Sequence, residues 1–234
     1  MSLDVQNALV IGGLVGEANS TALFEYALGL ADNANPTIGF IATASGDSPA
    51  FLQKFYETFR SLPCRPCHLP LFDRTPDVSK FISELDVILV GGGNTVSMLG
   101  VWQAWGLPNV LRNAWSKGAV LVGWSAGAMC WFEFGLSDSY ANQFTAVPGL
   151  GLIPGSCCPH YGKEPARREA FQLAIGNGRI PPGWGLDDSA ALHFRGTTPH
   201  ALLKAAGTVG ATFVSADTRS VSPVDLVQTE LPSS

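Results

Sequence analysis

The stretch Ala119-Val120-Leu121-Val122-Gly123-Trp124-Ser125-Ala126-Gly127-Ala128-Met129 decides the fold class. Residues 119–122 are an apolar run of the kind that forms a buried strand. The run Ala128-Met129-Cys130-Trp131-Phe132-Glu133 can continue as a helix. A serine on a strand-to-helix turn, with glycines two residues to either side, is the arrangement of a nucleophile elbow. The turn is sharp, so its neighbours must be small, and the hydroxyl then projects above the sheet edge. Helix N–H groups aimed at the same spot favour developing negative charge. A strand ending in a glycine-rich turn with an incidental serine is the alternative without chemistry.

Outward from this turn, short β-rich runs alternate with longer amphipathic segments, which predicts a mostly parallel α/β sheet sandwiched by helices. Strands are expected at residues 8–11, 37–41, 66–71 and 87–90, and helices at 20–30, 48–61, 78–83, from 95, and at 110–116. After Gly135 the pattern loosens. Strand-like pieces fall around 156–158, 185–186, 190–194, 201–204 and 212–214, with a helix over about 167–175. Residues 1–221 read as a single α/β domain, and residues 222–234 as a polar C-terminal tail, poorly ordered at its end.

Hydrophobic residues make up 46% of the 234 and charged residues 14%, which describes a globular protein with a large core. The net charge of −5 argues against broad binding to a nucleic-acid backbone. The first residues lack a basic segment followed by a long apolar core, and no apolar run reaches membrane-spanning length. A cytoplasmic location without membrane attachment is therefore the expectation. Five cysteines, an odd number, then read as free thiols.

A serine needs a base to take its proton, and the base is usually a histidine oriented by an acid. The histidines are His68, His160, His193 and His200. His160 follows a proline that holds the chain extended, a way to fix the aim of a side chain. His193 fits a core or face position, and His200 a turn. Candidate acids are Glu133, Asp138, Asp187 and Asp188. Asp138 falls in a polar turn after the elbow helix, whereas Asp187-Asp188 forms a pair at a strand end that could equally cap a turn. The backbone N–H of Ala126 and the Gly91-Gly92-Gly93-Asn94 loop are candidate donors to an oxyanion.

Other signals are weaker. Cys64-Arg65-Pro66-Cys67-His68 has the spacing of a haem or zinc half-site, but no well-spaced second half-site is present, and no metal or cofactor is expected. Gly12-Gly13-Leu14-Val15-Gly16 misses the dinucleotide-loop spacing. The six tryptophans are read as packing the core or lining the pocket.

In order along about 190 residues, the chain carries Thr43-Ala44-Ser45-Gly46-Asp47, Gly91-Gly92-Gly93-Asn94-Thr95 and Gly123-Trp124-Ser125-Ala126-Gly127-Ala128. These are followed by Ser137-Asp138-Ser139, Cys158-Pro159-His160-Tyr161 and Leu186-Asp187-Asp188-Ser189-Ala190-Ala191-Leu192. Through these motifs it resembles the dipeptidase E (aspartyl dipeptidase) family of serine peptidases, which also contains the cyanophycinases. The resemblance implies a class I glutamine amidotransferase-like sandwich with serine in place of cysteine at the elbow. It implies Ser125 as nucleophile, His160 as base and Asp138 as the third member, with Glu133 nearby as the competing acid. It also implies an oxyanion hole of Ala126 with Gly92 or Gly93. Asn94, Arg167, Arg168, Asp187 and Asp188 are candidate contacts to substrate; Lys163, Arg167 and Arg168 follow His160 and could bind substrate carboxylates or equally form a solvated helix start. The chain departs from the aspartyl dipeptidase pattern at Trp131-Phe132-Glu133 and Leu186-Asp187-Asp188-Ser189, which puts a preference for an N-terminal aspartate in question.

The expectation is a serine-type peptidase acting on a dipeptide or isopeptide, with oligomeric state open and a homodimer allowed. Two alternatives remain. One is an α/β-hydrolase-type esterase using Asp187 or Asp188 with His193 or His200. The other is a non-catalytic binding protein that retains the fold.

Overall fold

Four-residue strands rich in Val, Ile and Leu bury both faces, and they need helices on each side. The computed structural model describes residues 6–141, 143–204, 210–216 and 227–230. The first half runs β1 (Asn7–Ile11), α1 (Glu17–Leu28), β2 (Thr37–Ile41), α2 (Pro49–Phe59), β3 (Arg65–His68), α3 (Val78–Ser83) and β4 (Val87–Val90). It continues with α4 (Thr95–Ala104), α5 (Leu107–Ser116), β5 (Val120–Trp124) and the short helix α6 (Ala126–Met129). The second half adds β6 (Phe132–Ser137), β7 (Thr145–Pro148), β8 (Ile153–Cys158), α7 (Pro165–Gly176) and β9 (Gly183–Leu186). The last strands are β10 (Ala190–Arg195), β11 (Thr198–Lys204), β12 (Ala211–Val214) and β13 (Val227–Glu230).

The larger sheet has the order β13-β11-β10-β1-β5-β4-β2-β3. Its five strands from β1 to β3 are parallel, and β10 joins β1 antiparallel. Alternation along these strands sorts the core. Leu9, Ile11, Phe40, Leu89 and Val122 face α1 and α2, where Leu23, Phe24, Phe55 and Phe59 complete the layer. Val10, Ile41, Ile88, Val90 and Leu121 face the other way, onto Ile82, Met98, Trp102 and Leu111 of α3 to α5.

A second, five-stranded sheet has the order β12-β9-β8-β6-β7. Phe132, Ile153, Cys157 and Leu186 join it to the core of the larger sheet, and Leu136, Cys158 and Tyr161 meet Phe171 and Ile175 of α7. The molecule is thus a mixed α/β fold with large, mostly parallel sheets.

Three expectations need correction. The helix after Ser125 does not run on through Glu133: it stops at Met129, because Phe132 to Ser137 pair with both β7 and β8. The apolar residues there fill a sheet face instead. The segment expected as a tail contributes β13, which pairs parallel with β11, and the rest of 222–234 lies outside the described residues. The third strand begins at Arg65 and ends at His68, where Leu69 N–H still donates to the Phe40 carbonyl but the chain then turns away. Among the described residues no helix is long and apolar enough to cross a membrane.

Candidate active site

The strand β5 ends in the middle of the larger sheet, between β1 and β4, and the chain there reverses abruptly. Ser125 takes φ 54° and ψ −115°, a region an L-residue occupies only when its surroundings force it. The glycines around it are there because backbone passes too close for a side chain. A Cβ on Gly123 would lie 2.1 Å from the Gly127 carbonyl oxygen, and one on Gly127 would lie 2.2 Å from that of Val90. Ser125 N–H donates to the Ile11 carbonyl, and its own carbonyl accepts from Ala128 and Met129. The turn is therefore held from both sides, with the hydroxyl left over.

That hydroxyl meets His160. Ser125 Oγ lies 3.0 Å from His160 Nε2, and His160 Nδ1 lies 2.5 Å from Asp188 Oδ1. An ionised carboxylate only accepts, so Nδ1 carries the proton and Nε2 is free to accept from the serine. His160 sits two residues past β8 in its own left-handed conformation, φ 57°. Tyr161 N–H, donating to the Leu186 carbonyl, ties this turn to the end of β9. The side chains of His160 and Asp188 are 23% and 14% exposed, partly shielded yet reachable.

Asp188 is placed by the link from β9 to β10. Gly13, just past β1, bridges it, Ser189 N–H donates to the Gly13 carbonyl, and Gly12 N–H donates to the Ala190 carbonyl. The Asp187 carboxylate turns the other way and accepts from Gly210 N–H. Burial pushes its carboxyl up from the ordinary range, against the N–H groups of Gly210 and Gly162, which favour the anion. Lys163 Nζ stands 3.4 Å from the second oxygen of Asp188.

The acid expected from the resemblance is elsewhere. Asp138 is 61% exposed and accepts from Arg167 Nη2 at 2.7 Å, so it does not orient His160. Its partner Arg167 is buried, also binds Glu164 and the Leu136 carbonyl, and lies over the Phe144 ring. Its guanidinium is committed to holding α7 against β6, which corrects the expectation of a substrate contact. Arg168 is exposed near Asp187. Glu133 accepts from Gly155 N–H and is likewise away from the imidazole.

Asn94 caps α4 by accepting from Ser97 N–H, and its amide donates to the Ser139 carbonyl. The Gly91–Asn94 loop lies against the serine turn, since a Cβ on Gly92 would fall 3.1 Å from Ser125 Cβ. Among the described residues no backbone carbonyl accepts from the N–H groups of Gly92, Gly93 or Ala126. The Thr43–Asp47 segment buttresses this loop: Ala44 carbonyl accepts from Asn94 N–H, and Trp102 donates to Thr43 Oγ1.

None of the other histidines is bonded to Ser125 among the described residues, and His200 lies within β11 rather than in the expected turn, its ring edge-on to His193 at 5.2 Å. His193 is fully buried; Nε2 donates to Asn7 Oδ1 and Nδ1 accepts from the Tyr26 hydroxyl, both at 2.9 Å. Burial, with His200 and Arg195 nearby, pulls it down to about 4. His68 is bonded to the Tyr56 hydroxyl, and Cys64 and Cys67 each lean on a backbone carbonyl. Sequence reasoning weighed Gly13 only as part of a poorly spaced dinucleotide loop and missed its place beside His160 and Asp188. The signal available was its glycine pair at a strand end, opposite a paired acid at another.

The chain is similar to known peptidases. The family described as Peptidase family S51 matches residues 8–202. The chain is 46% identical to an uncharacterized peptidase, YgaJ, of Bacillus subtilis strain 168, over 78% of this chain and 80% of that one. It is 34% identical to Peptidase E of Shewanella sp. strain W3-18-1 over 37% of each chain. In structure it is similar to a peptidase from an acI-B1 Actinobacterium, with a TM-score of 0.73, 20% identity, and coverage of 97% and 96%. The chain belongs to peptidase family S51.

Proposed function

We propose that this protein is a serine-type peptidase that hydrolyses a small peptide, a dipeptide or an isopeptide, through an acyl-enzyme. The observation that carries this reading is the continuous chain from Ser125 Oγ through His160 to Asp188 at 3.0 and 2.5 Å. Ser125 attacks the scissile carbonyl as His160 Nε2 takes its proton. The imidazolium, stabilised by Asp188, then returns the proton to the leaving amine. Water activated by the same imidazole releases the acid and regenerates the serine. Asp188 takes the part that the resemblance assigned to Asp138.

The strained turn at Ser125 supports its reading as a nucleophile elbow, in a sandwich of the class I glutamine amidotransferase type. The unpaired N–H of Ala126, with that of Gly92 or Gly93, supplies the oxyanion hole. The helix dipole contributes little here, since α6 is four residues long. The esterase reading through His193 or His200 loses support, because His193 is bonded to Tyr26 and Asn7 and the imidazole that meets Ser125 is that of His160.

The test incubates wild type and Ser125→Ala with a mixed library of dipeptides and isoaspartyl dipeptides, followed by mass spectrometry. Depletion of a defined subset by wild type alone is expected. Equal depletion by the variant would end the proposal.

A further inference from the structure

Beside Trp124, the residue before Ser125, the molecule has a cleft that the proposed chemistry does not use. It lies between α1 and α2, above the face of the larger sheet, with a volume of about 840 Å³. Its floor is aromatic. Phe40 is stacked between Trp124 and Phe55, with ring centroids 5.7 and 4.9 Å apart, and Phe24 meets Trp124 edge-on at 6.4 Å. Phe51, 41% exposed, forms part of the α2 lip.

Two segments that line it adjoin the candidate active site. Trp124 directly precedes Ser125, and its indole backs the Gly91–Gly92 turn: a Cβ on Gly92 would lie 3.0 Å from indole Nε1. Leu14 and Gly16 line the cleft, in the same short loop as Gly13, which faces His160 and Asp188. Among the described residues the lining carries Lys54 and Glu57, one helical turn apart on α2, so no cluster of cations marks it for a carboxylate.

We propose that this aromatic cleft receives a large apolar or aromatic side chain flanking the scissile bond, so that the enzyme selects apolar rather than acidic peptides. This rests on the peptidase reading above and names its substrate class. Pockets for small ligands are mostly apolar with a few polar groups fixing orientation, and Ser20 and Thr58 supply such groups at this one. Discrimination by an apolar pocket is moderate, about 10- to 200-fold per group fitted.

The test measures kcat/KM for Phe-Gly, Gly-Phe, Leu-Gly, Gly-Leu, Asp-Gly and Ala-Gly with wild type, Thr21→Trp and Ala50→Trp. Both variants fill the cleft from its helices without touching Ser125, His160 or Asp188. One Phe or Leu position is expected to exceed Asp and Ala by about 10- to 100-fold, and either folded variant is expected to erase that gap while sparing Ala-Gly. Preference for Asp-Gly, or an equal loss on every peptide, would overturn the assignment of the cleft.

Two further readouts separate this failure from that of the peptidase reading. Labelling of Ser125 by a fluorophosphonate, lost in His160→Ala, reports the nucleophile alone. Tryptophan fluorescence of Ser125→Ala, titrated with phenylalaninamide and aspartamide, reports the cleft alone. At least tenfold tighter binding of phenylalaninamide supports the cleft even without turnover; no preference overturns it.

Discussion

Gly13 and Asp188 approach so closely that a Cβ on the glycine would fall 2.1 Å from Asp188 Oδ1 and 2.7 Å from His160 Cε1. The absent side chain is what lets the carboxylate reach the imidazole. Gly13→Ala is therefore expected to push Asp188 and His160 apart by a fraction of an ångström to an ångström. A misplacement of that size costs on the order of 100-fold in turnover. Peptidase assays and the rate of fluorophosphonate labelling should fall together, with circular dichroism unchanged.

The two candidate acids give opposite phenotypes. Asp188→Asn should lower kcat about 10⁴-fold by leaving the wrong imidazole tautomer, and Ser125→Ala or His160→Ala about 10⁶-fold. Asp138→Asn should leave kcat within about twofold and lower stability by about 1–2 kcal/mol, because buried Arg167 loses one of its two carboxylate partners. Steady-state kinetics beside urea unfolding distinguishes them. A large kcat loss in Asp138→Asn with normal activity in Asp188→Asn would reverse the assignment.

His193 gives the fold an acid-sensitive point remote from catalysis. Its folded pKa of about 4 lies below the ordinary 6.5, so the unfolded chain takes up a proton first as pH falls. Stability from the neutral imidazole is complete above about pH 6.5 and is lost on the way down to about pH 4, at about 1.4 kcal/mol per pH unit. The raised carboxyl of Asp187 acts in the opposite sense, but only near the carboxylate range. Between pH 6.5 and 5, urea unfolding of wild type should show a loss of about 2 kcal/mol that His193→Gln largely lacks.

The thiols should divide by burial. Cys130, Cys157 and Cys158 are enclosed, and burial raises each thiol well above its ordinary range. Cys64 and Cys67 are half-buried, with smaller upward shifts from the same cause. The thiolate is the reactive form, so iodoacetamide near neutral pH should modify only Cys64 and Cys67 in the native protein, and slowly. All five should react in denaturant. Mass spectrometry of the alkylated peptides reads this directly.

The parallel strands and the serine turn were legible because they are local. A run such as Val87 to Val90 admits few alternatives, and glycines at fixed distances from Ser125 mark a turn whatever lies around it. His160 was legible through its motif. The carboxylate bonded to its imidazole was not, because Asp138 and Asp188 both sit in polar turns after strands, and only tertiary structure tells them apart. What selects Asp188 is Gly13, more than 170 positions away in the chain. The second sheet was faint because glycine or proline interrupts each of β6 to β9, at Gly135, Pro148, Pro154-Gly155, and Gly183 and Gly185, so no unbroken apolar run marks them. Arg167 misled because a cation near the start of a helix looks available until its two carboxylates are seen.

Ser125 ends a strand of the larger sheet, His160 follows a strand of the smaller one, and Asp188 lies on the link that passes from one to the other. Neither sheet alone holds a working set of groups. Reactivity is a property of how the two are docked, and a slip of about an ångström between them would uncouple serine from imidazole with every strand intact. The inactive form of such an enzyme is a folded one, so under rising denaturant its hydrolysis should fade before its secondary structure does.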